Sequence, residues 1–530
     1  MDTSVDPCTD FYDFVCGGFH EKTTVPEGIK ALGSLVDMKQ NAEKILYAVL
    51  GAEGESDEPT AFKSVRNYYR TCRENQDNLE DLKSLLKDTG GLPVVLGDSW
   101  DENNFKWDDT AKKLAEKGVP ISTGIGILRP EIRGVLEDSS KRIIEVFADG
   151  NKDLAAGLND PRVKSYYDYL VNITVLLGAD EAAAKEVIKN VFEFEKKLGE
   201  LQGTKAENNM TVSKAADLFP GFDMLEYIKS IVGLDTLEAS EVIKVHDPNY
   251  IKQLGDLLKE TPKKTQANYL GYKASFPLLK YVSKEATKIQ QEWEKVLKPS
   301  KFFEPNRTIF CMQEVANLNG PGNKYQLEAD LTNAVGSMFA RKSFSKEEKE
   351  GSVAMVNGIK AQFKKMLQEL DWMDDQTKEA ALDKESKMGV YVGYVDELFD
   401  NEIMNQFYSN LNLLQDSYLK NYLMLQKFNA AYFASEYRKK KDIRNWNLHG
   451  VTYIGYNAWY GGTINGFTMP AARLSPPLHG LDYPKYWNYG NTGWTAGHEV
   501  THAFDTSGKE YDADGKGLST HVYNNLDIIR

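Results

Sequence analysis

The nine residues GHEVTHAFD, Gly497 to Asp505, decide how this 530-residue chain is read. On a helix, positions four apart lie one turn apart on one face, so His498 and His502 can present imidazole nitrogens to a single ion. Glu499 then sits beside the ion without binding it, placed to activate a zinc-bound water whose pKa falls from 15.7 to about 7. Asp505 follows His502 by three residues and His498 by seven, on the same face, where its carboxylate can orient a ligand imidazole. The competing reading is a pair of histidines satisfied by hydrogen bonds on a partly buried helix. With 7 histidines in the chain, an accidental H-E-x-x-H is expected in only about one such sequence in a hundred, which favours metal-assisted hydrolysis. A hydrolytic zinc centre also needs a third protein ligand, which this turn of helix does not supply.

Upstream of the motif, HGVTYIGYNAWYGGTINGFTMP (449–470) is rich in β-branched and aromatic residues and predicts a hairpin, with the turn at Gly461-Gly462. The Pro-containing loop LSPPLHGLDYPKYWNYG (474–490) leads from it to the motif helix, which is expected to end near Ser507-Gly508. Further back the chain reads as helical. Val187, Val191, Phe194, Leu198 and Leu201 form one buried face, Val356, Ile359, Phe363, Met366 and Leu370 a second, and Phe407, Leu411, Leu414, Tyr418 and Tyr422 a third. DSWDENNFKWDD (98–109) and KETPKKTQ (259–266) read as exposed connections. There is no internal repeat and no low-complexity tract.

The length predicts at least two domains. Hydrophobic residues make up 41% and charged residues 27%, as in an ordinary folded protein, and the net charge of −14 argues against nucleic acid as a partner. ILYAVLGA (45–52) is far shorter than the roughly 18 apolar residues of a spanning helix, and the first residues lack a signal-like apolar run. The chain is therefore expected to be cytosolic, or to follow a removed signal or anchor. Its four cysteines, Cys8, Cys16, Cys72 and Cys311, are too few and too scattered for a disulfide scaffold or a zinc ribbon. Sequons stand at Asn172, Asn209 and Asn306, and matter only in the secretory pathway.

Several separated stretches together resemble the neprilysin and endothelin-converting-enzyme family of zinc metallopeptidases. VDPCTDFYDFVCGGF, NYYRTC and FCMQEVANL are similar to family landmarks. So are LDWMDDQTKEAALDKESKM with GYVDELFD, YNAWY with MPAARLSPP, and NYGNTGWTAGHEVTHAFDTSGKEYDADG around the motif. The resemblance implies a mainly α chain with a small β-hairpin or sheet, built as two lobes: a helical cap and a thermolysin-like (zincin) catalytic lobe, truncated here. Residues 1–40 would be an N-terminal ectodomain segment packing on the catalytic lobe, 41–420 the cap, and 421–530 the N-terminal part of the zincin lobe. His498 and His502 would bind one Zn2+, Glu499 would be the base and Asp505 its catalytic support, while Asn457 and Ala458 would hold the substrate backbone by strand addition.

Cys72 and Cys311 match cysteines that pair in the family, and Cys8 and Cys16 match cysteines whose partners lie further toward the C-terminus. The family's third ligand, a Glu in a GENxxD helix, does not occur before Arg530, leaving Glu510 and His521 as local substitutes. The implied function is a zinc metalloendopeptidase cutting short extracellular peptides, in an incomplete form. It would be secreted, or the ectodomain of a protein whose membrane anchor is not in this chain. The alternative is a non-catalytic, peptide-binding member of the same family.

Overall fold

Apolar residues recurring at spacings of three and four put most of the chain into helices, as the computed structural model shows over residues 1–25, 31–74, 77–120, 127–135, 141–201, 203, 208–297, 306–316, 330–440, 445 and 454–518. The expected mainly α architecture with a small hairpin sheet is present, and a second small sheet accompanies it. In the Glu181–Leu201 helix the first stripe is buried through Val191, Phe194 and Leu198. In the Lys346–Glu369 helix, started by a Ser345/Glu348 capping box, Val356 is buried and Ile359 and Phe363 are partly so. Met366 departs from expectation and is 53% exposed, with Leu367 buried in its place. At 100° per residue Leu367 lies about 20° from Val356 around the axis, whereas Met366 lies about 80° away.

The third stripe is not one helix. Asn401–Phe407 and Tyr418–Glu436 are separate. Ser417 caps the second helix, its side chain accepting from Lys420 N–H. The Asn421 amide meanwhile exchanges two hydrogen bonds with the backbone of Leu414, at 2.6 and 2.9 Å. Polar side chains that pair with nearby backbone give the chain an alternative to continuing a helix. The 98–109 connection is only partly exposed, because Phe105 and Trp107 are buried and Trp107 stacks on Phe222 with centroids 5.2 Å apart. Between 259 and 266 the connection shrinks to Thr261-Pro262, where one helix ends and Lys263–Ser275 begins.

The first sheet has the order β1 (Leu128–Gly134), β2 (Arg142–Ala148), β4 (Val242–Val245), β3 (Asn208–Thr211), with β2 and β4 parallel and the other pairs antiparallel. Tyr227 and Tyr250, both fully buried, donate to the carbonyls of Leu128 and Ile127. The second sheet is β5 (Gly389–Gly393), β7 (Gly466–Pro470), β6 (Trp459–Gly461). β7 is central, pairs parallel with β5 and antiparallel with β6, and is buried at all five positions. A hairpin is thus present, but its turn is the single 3-10 turn Gly462–Ile464 closed by Asn465 in the left-handed region, not Gly461-Gly462. Residues 449–453 of the predicted extended run lie outside the described residues.

Among the described residues most buried apolar side chains belong to a connected cluster running from Ala42 to Phe504, so the two sheets share a core, while Leu154, Val163 and Phe192 form a small second cluster. Inside its helical part Lys273 lies 3.6 Å from Asp149 and 3.5 Å from Glu195, and Tyr166 donates to Glu195 at 2.9 Å. Burial holds the Glu195 carboxyl above its usual range, against the pull of Lys273. A carboxyl whose folded pKa is raised binds its proton more tightly in the folded chain, so its contribution to stability falls as pH rises from the unfolded value of about 4.3 toward the folded one. Glu195→Gln is expected to remove that slope, as read from urea unfolding at pH 4.5 to 7.

Cys72 and Cys311 form a disulfide with Cα atoms 5.7 Å apart, both fully buried. Arg307 Nε donates to the Cys72 carbonyl at 2.9 Å. Cys8 and Cys16 are free. The double variant Cys72→Ser/Cys311→Ser is expected to lose about 2–4 kcal/mol in denaturant unfolding, the range typical of a native bridge. The three sequon asparagines are all exposed, with Asn172 on a helix, Asn209 on the edge strand β3 and Asn306 as a helix N-cap. Among the described residues no helix is long and apolar enough to cross a membrane.

Candidate active site

The motif forms the Trp494–His502 helix, which buries Thr495, Ala496, Glu499 and Val500 and leaves His498 on its open face. It packs against the Lys346–Glu369 helix, where Phe363 meets Phe504 with ring centroids 5.2 Å apart. The helix ends at His502, earlier than the sequence suggests. Asp505 Oδ1 accepts from the N–H groups of Ser507 and Gly508 at 2.9 and 2.7 Å, turning the chain away. Gly508 is required at this turn, since a Cβ there would lie 1.8 Å from the His502 carbonyl oxygen.

His498 Nε2 and His502 Nε2 stand 2.9 Å apart. Two nitrogens of one tetrahedral zinc site, each about 2.0–2.1 Å from the ion, are separated by roughly 3.4 Å. The pair therefore fits a shared ion with a small ring adjustment. Asp505 Oδ2 lies 2.6 Å from His502 Nδ1. Burial opposes ionisation of Asp505, but the N–H of Gly508, the His502 ring and the N–H of Ser507 together hold its pKa below the usual carboxylate range. An ionised Asp505 only accepts, so Nδ1 carries the proton and Nε2 keeps its lone pair for a metal.

Glu499 is 3% exposed, and its buried Oε2 has no hydrogen-bond partner among the described residues. Burial raises its pKa, against the two histidines and the Tyr460 backbone N–H. A buried carboxyl with a raised pKa beside two converging imidazoles has the features expected of a general base.

A cavity of about 390 Å³ opens over these groups. Asn457, Ala458 and Tyr460 form one wall, His498, Glu499 and His502 another, and the Asp505–Tyr511 loop closes a third side. Asn457 is exposed and Ala458 buried, immediately before β6. Every residue assigned to substrate, metal and base from sequence thus lines one cavity. Glu510 does not join them: among the described residues no group of three His, Cys, Asp or Glu side chains could hold a metal. His521 lies outside the described residues.

Sequence reading missed four contributors. Trp494, one turn before His498, stacks on its ring at 5.6 Å. Tyr511 closes the cavity against Gly462, where a Cβ would meet its ring at 2.3 Å. Asn465 donates to the carbonyls of Lys384 and Ala513 and accepts from Tyr460 OH. Lys384 ties down the loop after the motif. Only Asn465 carried a signal, since Asn-Gly between extended runs is a strong short-range hairpin signature.

The model of peptidase family M13 matches residues 7–395 in its N-terminal part and 457–527 in its catalytic part. The chain is 28% identical over 538 residues to Neprilysin-2 of Drosophila melanogaster, covering 97% of this chain and 68% of that protein. It is 25% identical over 535 residues to endothelin-converting enzyme 1 of Homo sapiens, covering 97% and 66%. Among solved structures it is similar to the Mycobacterium tuberculosis zinc metalloprotease Zmp1 in an open state, with TM-score 0.76, 18% identity and coverage of 97% and 77%. PepO from Lactobacillus rhamnosis HN001 superposes with TM-score 0.72 at 17% identity, covering 96% and 78%.

Proposed function

This chain belongs to peptidase family M13, and on that premise we propose that it is a zinc metalloendopeptidase for short extracellular peptides. The observation that carries the reading is the convergence of the His498 and His502 Nε2 atoms in the cavity that buried Glu499 also lines, its Oε2 without a partner among the described residues. His498 and His502 would hold one zinc ion, which when bound acidifies water and polarises a peptide carbonyl. Asn457 and Ala458 align the substrate backbone beside β6. Glu499 takes the proton of the attacking water and returns it to the leaving amide nitrogen. Asp505 keeps His502 in the tautomer that leaves Nε2 free.

The third ligand is assigned to a position beyond the described residues, in keeping with the relatives reported above, of which this chain covers 68% and 66%. On this reading the chain is an incomplete form of the catalytic protein, with residues 1–40, 41–420 and 421–530 as N-terminal segment, helical cap and partial zincin lobe. The buried Cys72–Cys311 bridge suits an oxidising compartment, so we place the protein outside the cell, secreted or as an ectodomain, with the three exposed sequons as glycan acceptors.

The absence of a third ligand among the described residues also supports the second reading, a family member that binds peptides without cutting them. A quenched fluorescent peptide separates the two. Hydrolysis that stops on chelation and returns with added zinc supports the peptidase. Binding without hydrolysis in zinc-replete buffer supports the binder, and hydrolysis indifferent to chelation removes zinc from both.

A further inference from the structure

The Asp375–Lys387 helix sends one charged side chain beneath the loop that follows the histidine pair. Lys384 is 6% exposed, and its Nζ donates to the carbonyls of Gly508 and Tyr511, each at 2.6 Å. Buried ammonium groups are normally paired with a carboxylate, yet no ion pair involving Lys384 occurs among the described residues. Its pKa is pushed down to about 8, by burial first, with Asp512 and Asp505 opposing. The two carbonyls are what this ammonium is held for.

Those carbonyls belong to the loop that orients the site. Gly508 N–H donates to Asp505 Oδ1 at 2.7 Å, and Asp505 Oδ2 meets His502 Nδ1 at 2.6 Å. Three hydrogen-bonded links therefore run from Lys384 Nζ through Gly508 and Asp505 to the His502 ring. Asn465 holds the other end of the loop. It is buried at φ 38°, and its Nδ2 bridges the Lys384 and Ala513 carbonyls at 3.0 and 2.9 Å. The helix, the hairpin turn and the loop are thereby tied together by two side chains, Lys384 and Asn465, that do not themselves line the cavity.

We propose that Lys384 is a positioning residue for the histidine pair, fixing the Asp505 loop so that the His502 ring keeps its Nδ1 proton and its Nε2 aim. Its effect on metal binding rests on the reading of His498 and His502 as zinc ligands, but its effect on the His502 ring does not. A residue of purely structural importance would lower stability without singling out that ring. A positioning residue acts through Asp505, so its loss and the loss of Asp505 are not independent.

The experiment uses the 530-residue chain, labelled with 15N-histidine, as wild type, Lys384→Met, Asp505→Asn and the double variant. In metal-free protein the His502 Nδ1–H resonance is expected to be protected in wild type and in rapid exchange in both single variants. Zinc affinity, from competition with a chromogenic chelator, is expected to fall about 10–100-fold in each single variant, as for other outer partners of metal ligands. In the double variant it should fall no further than in the more affected single one.

Losses that multiply in the double variant, or a His502 resonance and zinc affinity unchanged by Lys384→Met, overturn the proposal. If Lys384→Met does not fold, Lys384→Gln, which keeps a donor and most of the packing, is judged by the same criteria. A wild-type chain without measurable zinc affinity would overturn the metal reading, while the metal-free ring measurement would still decide the role of Lys384.

Discussion

Glu499→Gln is expected to lower peptide hydrolysis by about 10²–10⁴-fold, equivalent to roughly 2.7–5.5 kcal/mol of transition-state stabilisation, while zinc binding and KM stay close to wild type. Glutamine keeps the shape of the side chain and can still face the Tyr460 N–H that supports Glu499. It cannot accept the proton of the attacking water. Glu499 is almost fully buried, and among the described residues its Oε2 has no hydrogen-bond partner, so it is free to accept that proton. Steady-state kinetics on a short fluorogenic peptide, with zinc content measured on the same sample, check it. A loss confined to kcat identifies a group acting in the chemical step. A variant that loses zinc as well would mean that Glu499 supports the metal, and an unchanged rate would remove it as the base.

The site was legible wherever its chemistry is local in sequence. The spacing of His498, Glu499, His502 and Asp505 suggests one helical face followed by a carboxylate, and the four side chains line one cavity. What was not legible depends on contacts across long stretches of chain. A lysine in LDKESKM reads as solvated, and only the approach of Gly508, 124 residues later, makes Lys384 a buried donor. β5 could not be read either, because its parallel partner β7 is central and buried on both faces, leaving no alternation on which to fix a register. Met366 and the Phe407–Tyr422 stripe show the opposite failure. There the apolar period in the sequence runs on past the point where helix phase or the Ser417 cap redirects the chain.

The second large effect concerns the metal itself. Zinc sites with a full protein ligand set are worth about 10–16 kcal/mol near neutral pH. Two imidazoles, half such a set, would supply roughly 5–8 kcal/mol, a dissociation constant of about 10⁻⁴ to 10⁻⁶ M. With only the His498–His502 pair converging among the described residues, the chain is expected to bind zinc in metal-replete buffer and to lose it on dialysis against a weak chelator. His498→Ala should weaken the residual binding by about 10²-fold, since one of two donors, worth ~3 kcal/mol, is gone. Elemental analysis before and after dialysis reads both effects. Zinc kept stoichiometrically by the wild-type chain and lost in His498→Ala would show that this polypeptide supplies a third donor. In that case His521→Ala, compared with Glu510→Ala, would identify it, and the incomplete-site reading would give way to a self-sufficient metal centre.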